Sequence, residues 1–343
     1  MRALARGHGG WPVNDLLVDV RDLSVRYTLS RSFADLLRRK PGRELAAVDG
    51  AHLAIRKGEA VGLVGESGSG KSSLGRALLR LTPATGEVRF DGTDVLRQDR
   101  RSLLAYRKRA QMVFQDPLAS LNPRFKVGEA LAEVLRVHRL TRREEIPGRV
   151  AALLDTVGLD TEFADRRPRG LSGGQCQRVG IARALAVEPE FIIADEPVSA
   201  LDLSIQAQIL NLFLRLQREM QLTMLFISHD LGVVHHLCQR VAVMYLGRIV
   251  EEGPADEIFY HPKHPYTQSL VEAMPRVEFP KGRRELPRLE GEPPSPADKP
   301  PGCAFHPRCP HVMDACRQDP PPSIRRVGAA ATACHLYPET EKA

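Results

Sequence analysis

The chain has 343 residues, 43% of them hydrophobic and 27% charged, with a formal net charge of +7. That composition is typical of a globular protein and leaves room for one large domain with an appendix or for two ordinary domains. The longest apolar stretches, around Phe191–Ala194 and Val241–Leu246, are far too short to span a bilayer. Residues Met1 to Leu17 contain arginines but no apolar run of signal-peptide length, so a cytosolic location is expected. Disulfides are rare there, and clustered cysteines more often bind metal. The positive charge is compatible with nucleic acid, and equally with work near acidic lipid or with a basic, arginine-rich proteome.

In chain order, strands are expected near Leu16–Tyr27, Ala47–Ile55 and Ala60–Val64. The third runs into "VGLVGESGSGKSS" and then "LGRALLRL", which reads as strand, glycine-rich turn and helix. Gly65, Gly70, Lys71 and Ser72 satisfy G-x-x-x-x-G-K-S/T. Glycines let consecutive backbone N–H groups curve around a β- and γ-phosphate, and the helix N-terminus adds partial positive charge. Lys71 would neutralise phosphate oxygens and the Ser72 hydroxyl would hold Mg²⁺. A strand at Glu87–Phe90 and another at Gln111–Gln115 follow. A helical insert over about Pro117–Leu171 comes next, with "VGEALAEVLRVH" and "GRVAALLDTVGL" as its amphipathic segments.

The α/β pattern resumes from Gly173 to Ser228. "LSGGQCQRVGIARAL" places Ser-Gly-Gly at a helix start, a second anion-binding N-terminus in one chain. One nucleotide needs one phosphate cradle, so the second is expected to serve a nucleotide held by another subunit. "FIIADEP" is a buried strand ending in two acids; Asp195 suits a Mg²⁺ partner and Glu196 suits polarising a water. "SALD" and "FISHD" follow, the latter presenting His229 just past an apolar strand. Short strands at Val241–Tyr245 and Arg248–Glu251 lead to "PADEIFYHP", a helix closed by proline. Proline, glycine and charge then dominate Val277–Pro301, which reads as a surface linker.

Together these motifs, in this order, resemble the ATP-binding cassette (ABC) ATPases over roughly Leu16 to Glu252. The resemblance implies an α/β fold: a P-loop NTPase core of RecA type with an antiparallel β subdomain and an α-helical subdomain at about 117–172. It implies an ATPase domain over 12–260 and a small cysteine-containing extension over 261–343. It further implies that Gly65, Ser67, Gly68, Gly70, Lys71, Ser72 and Ser73 bind ATP and that Tyr27 stacks on adenine. Mg²⁺ would be held through Ser72, Gln115 and Asp195, with Gln115 also sensing the attacking water. Glu196 would be the catalytic base and His229 would contact the γ-phosphate. Ser172, Gly173, Gly174 and Gln175 would reach the partner's nucleotide, and Asp202 would link the two sites. Residue 176 is Cys where relatives usually carry Arg or Lys; it and Cys238 read as small packing side chains.

There is one cassette, no fused membrane helices, and only 56 residues between Gln115 and Ser172, too few for a long coiled coil. A detached importer motor is what remains. "RSFADLLRRKPGRELAAVDGAHLAIRKGE", "QMVFQDPLASLNPRFKVGEAL" and "HPKHPYTQSLVEAMP" closely resemble F-type ATP-binding subunits of dipeptide/oligopeptide importers. This implies uptake of peptides, with nickel or glutathione as alternative cargo. It implies a D-type ATPase sibling, two transmembrane permease subunits and an extracytoplasmic binding protein, with the chain peripheral at the cytoplasmic face of the membrane. The rival reading is an ATPase acting on nucleic acid. Against it, the tail lacks paired C-x-x-C and an aromatic–basic stacking pattern.

Cys303, Cys309, Cys316 and Cys334 are spaced C-x₅-C-x₆-C-x₁₇-C in a segment poor in apolar residues. Four thiolates suit a tetrahedral zinc or a [4Fe–4S] cluster. Wide loops and the proline after Cys309 favour iron–sulfur, as do the tails of similar importer ATPases. His306, His311 and His335 keep zinc open. The metal is expected to close a tail that apolar burial cannot fold.

Overall fold

The computed structural model describes residues 15–28, 44–274 and 292–337. Most of the N-terminal stretch, residues 29–43 of the importer-like flank, and 277–291 of the expected linker lie outside them. The chain divides into two compact units: Met1–Ala54 with Val61–Leu96 and His229–Ala343, and Ile55–Ala60 with Arg97–Ser228.

The first unit opens with β1 (Leu16–Thr28), β2 (Glu44–Arg56), β3 (Ala60–Val64), α1 (Lys71–Leu78), β4 (Thr85–Phe90) and β5 (Thr93–Asp94). Strands β2, β1, β4 and β5 lie in that order in one sheet. Strands β1 and β4 pair antiparallel, Val18 opposite Phe90 and Val20 opposite Val88. Leu23 and Val25 are buried, Ser24 between them is half-buried, and Asp22 and Arg26 on either side are exposed, the alternation of a half-covered strand.

The second unit holds α2 (Arg100–Arg109), β6 (Ala110–Val113), α3 (Pro117–Ser120), α4 (Val127–Val137), α5 (Ile146–Thr156), α6 (Gly173–Leu185), β7 (Phe191–Asp195), α7 (Leu203–Met220) and β8 (Thr223–Ser228). Strands β6, β7 and β8 are parallel, with Ala110 opposite Phe191 and Phe191 opposite Thr223. Every residue of β7 and β8 is buried, as parallel strands covered on both faces require. The expected strand over Gln111–Gln115 ends two residues early. Asp116 caps α3, its carboxylate accepting from the Ala119 N–H at 3.0 Å, with Pro117 in the first turn, so Phe114 and Gln115 are drawn into the entry loop. Helix α4 buries Val127, Leu131 and Leu135, and α5 buries Ile146, Val150, Leu153 and Leu154. That spacing is one stripe of a 3.6-residue period, and each buried leucine contributes roughly 1.5–3 kcal/mol.

The chain then returns to the first unit through α8 (Leu231–Leu237), β9 (Arg240–Tyr245), β10 (Arg248–Pro254), α9 (Ala255–Tyr260), α10 (Pro265–Glu272), β11 (Arg325–Val327) and β12 (Ala330–Thr332). Strand β9 lies parallel to β3, Val61 opposite Arg240, and forms an antiparallel hairpin with β10. The tail adds to this hairpin: β12 pairs with β10, Glu251 opposite Thr332, and β11 pairs with β12. Phe305 is 1% exposed, its ring 5.4 Å from both Tyr245 and Tyr266. Here the structure corrects the expectation that apolar burial cannot fold the tail. The segment builds no core of its own; it extends an existing sheet edge and buries one aromatic against the core already there.

Candidate functional site

The phosphate loop leaves β3 at Val64 and enters α1 at Lys71. Gly70 has φ 103°, and a Cβ placed there would stand 2.1 Å from the Ala47 carbonyl oxygen. Only glycine allows that approach. Lys71 is 4% exposed, and its ammonium donates to the carbonyls of Gly65 at 2.7 Å and Glu66 at 2.9 Å. The cation is therefore held inside the curve of the loop. Ser67 and Gly68 are exposed at the loop tip, and Ser72 and Ser73 are half-buried in the first turn of α1. The Tyr27 hydroxyl lies 3.3 Å from Ser73 Oγ, so β1 brings its aromatic side chain beside the loop. Still in this unit, His229 is exposed just after β8. Asp230 beside it caps α8, accepting from the N–H groups of Gly232 at 2.8 Å and Val233 at 3.2 Å.

In the second unit Asp195 ends β7 and is 1% exposed. Glu196 follows with φ 45°, a left-handed conformation costing a non-glycine residue about 1–3 kcal/mol. Its N–H donates to the Ile227 carbonyl at 2.9 Å, and its carboxylate accepts from the Gln115 side-chain amide at 3.1 Å. Two residues 81 positions apart are thus joined through the side chain expected to take a proton.

The signature segment is a reciprocal helix cap. Ser172 Oγ accepts from the Gln175 N–H at 3.3 Å, and Gln175 Oε1 accepts from the Ser172 N–H at 2.9 Å. A Cβ on Gly174 would stand 2.4 Å from Ile205 Cγ2 in the first turn of α7. Asp202 caps that same α7, accepting from the Ile205 N–H at 3.1 Å. The signature helix and the loop carrying Asp202 are therefore packed on each other with no slack. Cys176 is fully buried with its thiol 3.5 Å from the Pro168 carbonyl, and Cys238 is 5% exposed, both as packing side chains.

The family profile described as "ABC transporter" matches residues 48–199, and "Oligopeptide/dipeptide transporter, C-terminal region" matches 250–316. The oligopeptide transport ATP-binding protein AppF of Bacillus subtilis is 47% identical over 94% of this chain and 98% of its own length. The dipeptide transport ATP-binding protein DppF of Escherichia coli is 46% identical over 95% and 96%. The chain belongs to the ABC transporter ATPases, in the peptide-importer branch. Among solved structures, the dimeric ATP-binding cassette MJ0796 bound to ADP and Pi is similar, with TM-score 0.61 and 30% identity. That match covers 69% of this chain and 98% of the cassette. CbiO1 from Clostridium perfringens, part of the transporter complex cbiONQ, has TM-score 0.61 and 28% identity over 72% and 92%. This ABC ATPase is thus an ATP-hydrolysing transporter subunit, and among the described residues no helix is long and apolar enough to cross a membrane.

The four tail cysteines of this ABC ATPase do not assemble as expected. Among the described residues, no group of three or more Cys, His, Asp or Glu side chains is placed to hold a metal ion, so neither the zinc nor the iron–sulfur expectation is met by a formed site. The thiols are nonetheless neighbours. Burial, aided by the other three cysteines, pushes the Cys303 thiol up to about 11, and burial raises Cys309 and Cys334 as well. The Cys303 N–H donates to the Cys316 carbonyl at 2.9 Å.

Sequence reasoning missed Glu66, Tyr245, Tyr266 and Arg308, which the fold gathers beside the phosphate loop. An arginine inside "FHPRCP" was a faint signal; nothing local could name its partner. The capping box of Ser172 and Gln175, by contrast, is legible as S-x-x-Q.

Proposed function

We propose that this subunit powers the import of dipeptides or oligopeptides, as one of two ATPase subunits beneath two permease subunits at the cytoplasmic face of the membrane. The observation that carries the cargo is the match of peptide-transport relatives through the C-terminal region as well as the cassette. In this reading Gly65, Ser67, Gly68, Gly70, Lys71, Ser72 and Ser73 cradle the phosphates, and Tyr27 faces adenine. Asp195, Ser72 and Gln115 would hold Mg²⁺, which would supply charge neutralisation at the phosphate oxygens. Glu196 takes the proton of the attacking water while the Gln115 amide fixes its carboxylate, and His229 faces the γ-phosphate. The Ser172 to Gln175 helix start serves the nucleotide of a D-type sibling, and Asp202 ties the two sites.

The route to the permease is through the helical segment. A groove of about 310 Å³ lined by Leu121, Phe125, Val134, Val137 and Arg183 opens in the second unit, with Val137 70% exposed. An amphipathic helix of a membrane subunit fits that chemistry. The deciding experiment is to purify the cognate extracytoplasmic binding protein and identify its retained ligand. A peptide is expected, and a nickel chelate or glutathione would overturn the cargo. Co-purification with nucleic acid instead of two polytopic membrane proteins would overturn the transporter reading.

For the tail we infer an iron–sulfur cluster held by Cys303, Cys309, Cys316 and Cys334. Two things support it: the four thiols are spaced more widely in the sequence than the tight pairs of zinc sites, and Cys303 feels the other three. A cluster spreads its thiolates over several irons and tolerates the wider spacing. Protein purified without oxygen is expected to be brown, absorbing near ~400 nm, with Cys309→Ser releasing iron. Colourless protein with one equivalent of zinc would overturn it.

A further inference from the structure

Arg308 stands in the tail one residue before Cys309, yet its side chain is 4% exposed and reaches the phosphate loop. Both terminal nitrogens donate to the Glu66 carboxylate, Nη1 to Oε2 at 2.9 Å and Nη2 to Oε1 at 3.0 Å. Nη1 also faces the Tyr245 hydroxyl at 3.4 Å. Glu66 is the residue directly after Gly65, and it is held at two further points. Its backbone N–H donates to the Tyr266 hydroxyl at 2.8 Å, and its carbonyl accepts from Lys71 Nζ at 2.9 Å.

Rings close over this pair. Tyr245 and Tyr266 lie 4.6 Å apart, and Phe305 packs on both. Arg308 Nε is buried without a hydrogen-bond partner. A guanidinium that leaves one donor unmet in such a place is kept there by the fork it makes with Glu66. The pairing also holds the cation firmly charged, since the Glu66 hydrogen bonds raise the Arg308 pKa.

We propose that Arg308 is a positioning residue for ATP binding: from the C-terminal extension it clamps Glu66 and so sets the start of the phosphate loop. It touches no phosphate itself. It acts through Glu66, because the carbonyl of that residue, like that of Gly65, is a seat of the Lys71 ammonium. A shift of Glu66 moves both the resting place of the cation and the run of N–H groups that follows. The inference rests on reading Gly65 to Ser73 as the phosphate cradle.

The test titrates the full chain with the magnesium complex of a non-hydrolysable ATP analogue, with thermal unfolding recorded for each variant. Arg308→Gln is expected to weaken binding about tenfold, the scale of a lost charge-assisted hydrogen-bond pair. Arg308→Lys is expected to recover part of that loss, because one ammonium cannot reproduce the fork. The double variant Arg308→Gln with Glu66→Gln is expected to bind better than Arg308→Gln alone, since no unpaired carboxylate remains. If Arg308→Gln does not fold, Glu66→Gln reads the same pair from the loop side, with weaker binding that the double variant relieves. Folded Arg308→Gln binding as tightly as wild type would overturn the proposal, as would a double variant no better than either single one. Lys71→Ala separates the two readings. Lost binding there with unchanged Arg308→Gln sinks the clamp alone, whereas unchanged binding in Lys71→Ala sinks the cradle as well.

Discussion

Glu196→Gln is expected to leave nucleotide binding intact and to cut turnover in the assembled transporter by about 10²–10⁴-fold. A glutamine keeps the shape of the side chain and can still accept the bond that the Gln115 amide makes to Glu196 at 3.1 Å. It also inherits the same backbone, φ 45°, so the strain at this position is unchanged. What it lacks is a carboxylate to take a proton from water. With hydrolysis blocked and binding retained, a closed ATP-bound pair of subunits should accumulate, visible by size-exclusion chromatography with Mg–ATP. Turnover near the wild-type rate would remove Glu196 from the role of base.

Gly174→Val is expected to reduce turnover about 100-fold or more, by displacing a helix rather than by removing a chemical group. Its first side-chain carbon would already stand 2.4 Å from Ile205 Cγ2, and Ile205 is β-branched, stiff, and part of the turn capped by Asp202. The overlap is relieved only by moving the start of α6 away from α7, at a stability cost of about 1–3 kcal/mol. Adding Ile205→Ala should restore part of both activity and melting temperature, because it removes the methyl that Cβ meets. Wild-type turnover in Gly174→Val would show that the contact between these two segments does not matter to the reaction.

Some elements of this chain are written locally in its sequence and others are not, for physical reasons. The phosphate loop was readable because its chemistry is local: the strand, the glycines and the lysine lie within a dozen residues. Helices α4 and α5 were readable because their apolar residues repeat with a helical period. Strands β11 and β12 were not, since Arg325–Val327 and Ala330–Thr332 are three residues each and carry no alternation long enough to notice. The cysteines are a different case. Their spacing spoke clearly of a metal, and the described residues do not gather into a group that holds one.

By itself the sequence determined that this protein is an ABC-type ATPase, and it pointed to the side chains expected to carry phosphate, magnesium and proton chemistry, because each motif is a short run whose backbone and side chains act together. Tertiary structure alone decided how those runs are held. Gln115 meets Glu196 across 81 positions, Gly174 is pinned by Ile205, and Arg308 reaches Glu66 across 242. It also decided that the tail folds as an added sheet edge, with Phe305 buried against Tyr245 and Tyr266. Such contacts join residues distant in the chain, and their formation depends on burial and geometry that no local pattern of residues encodes.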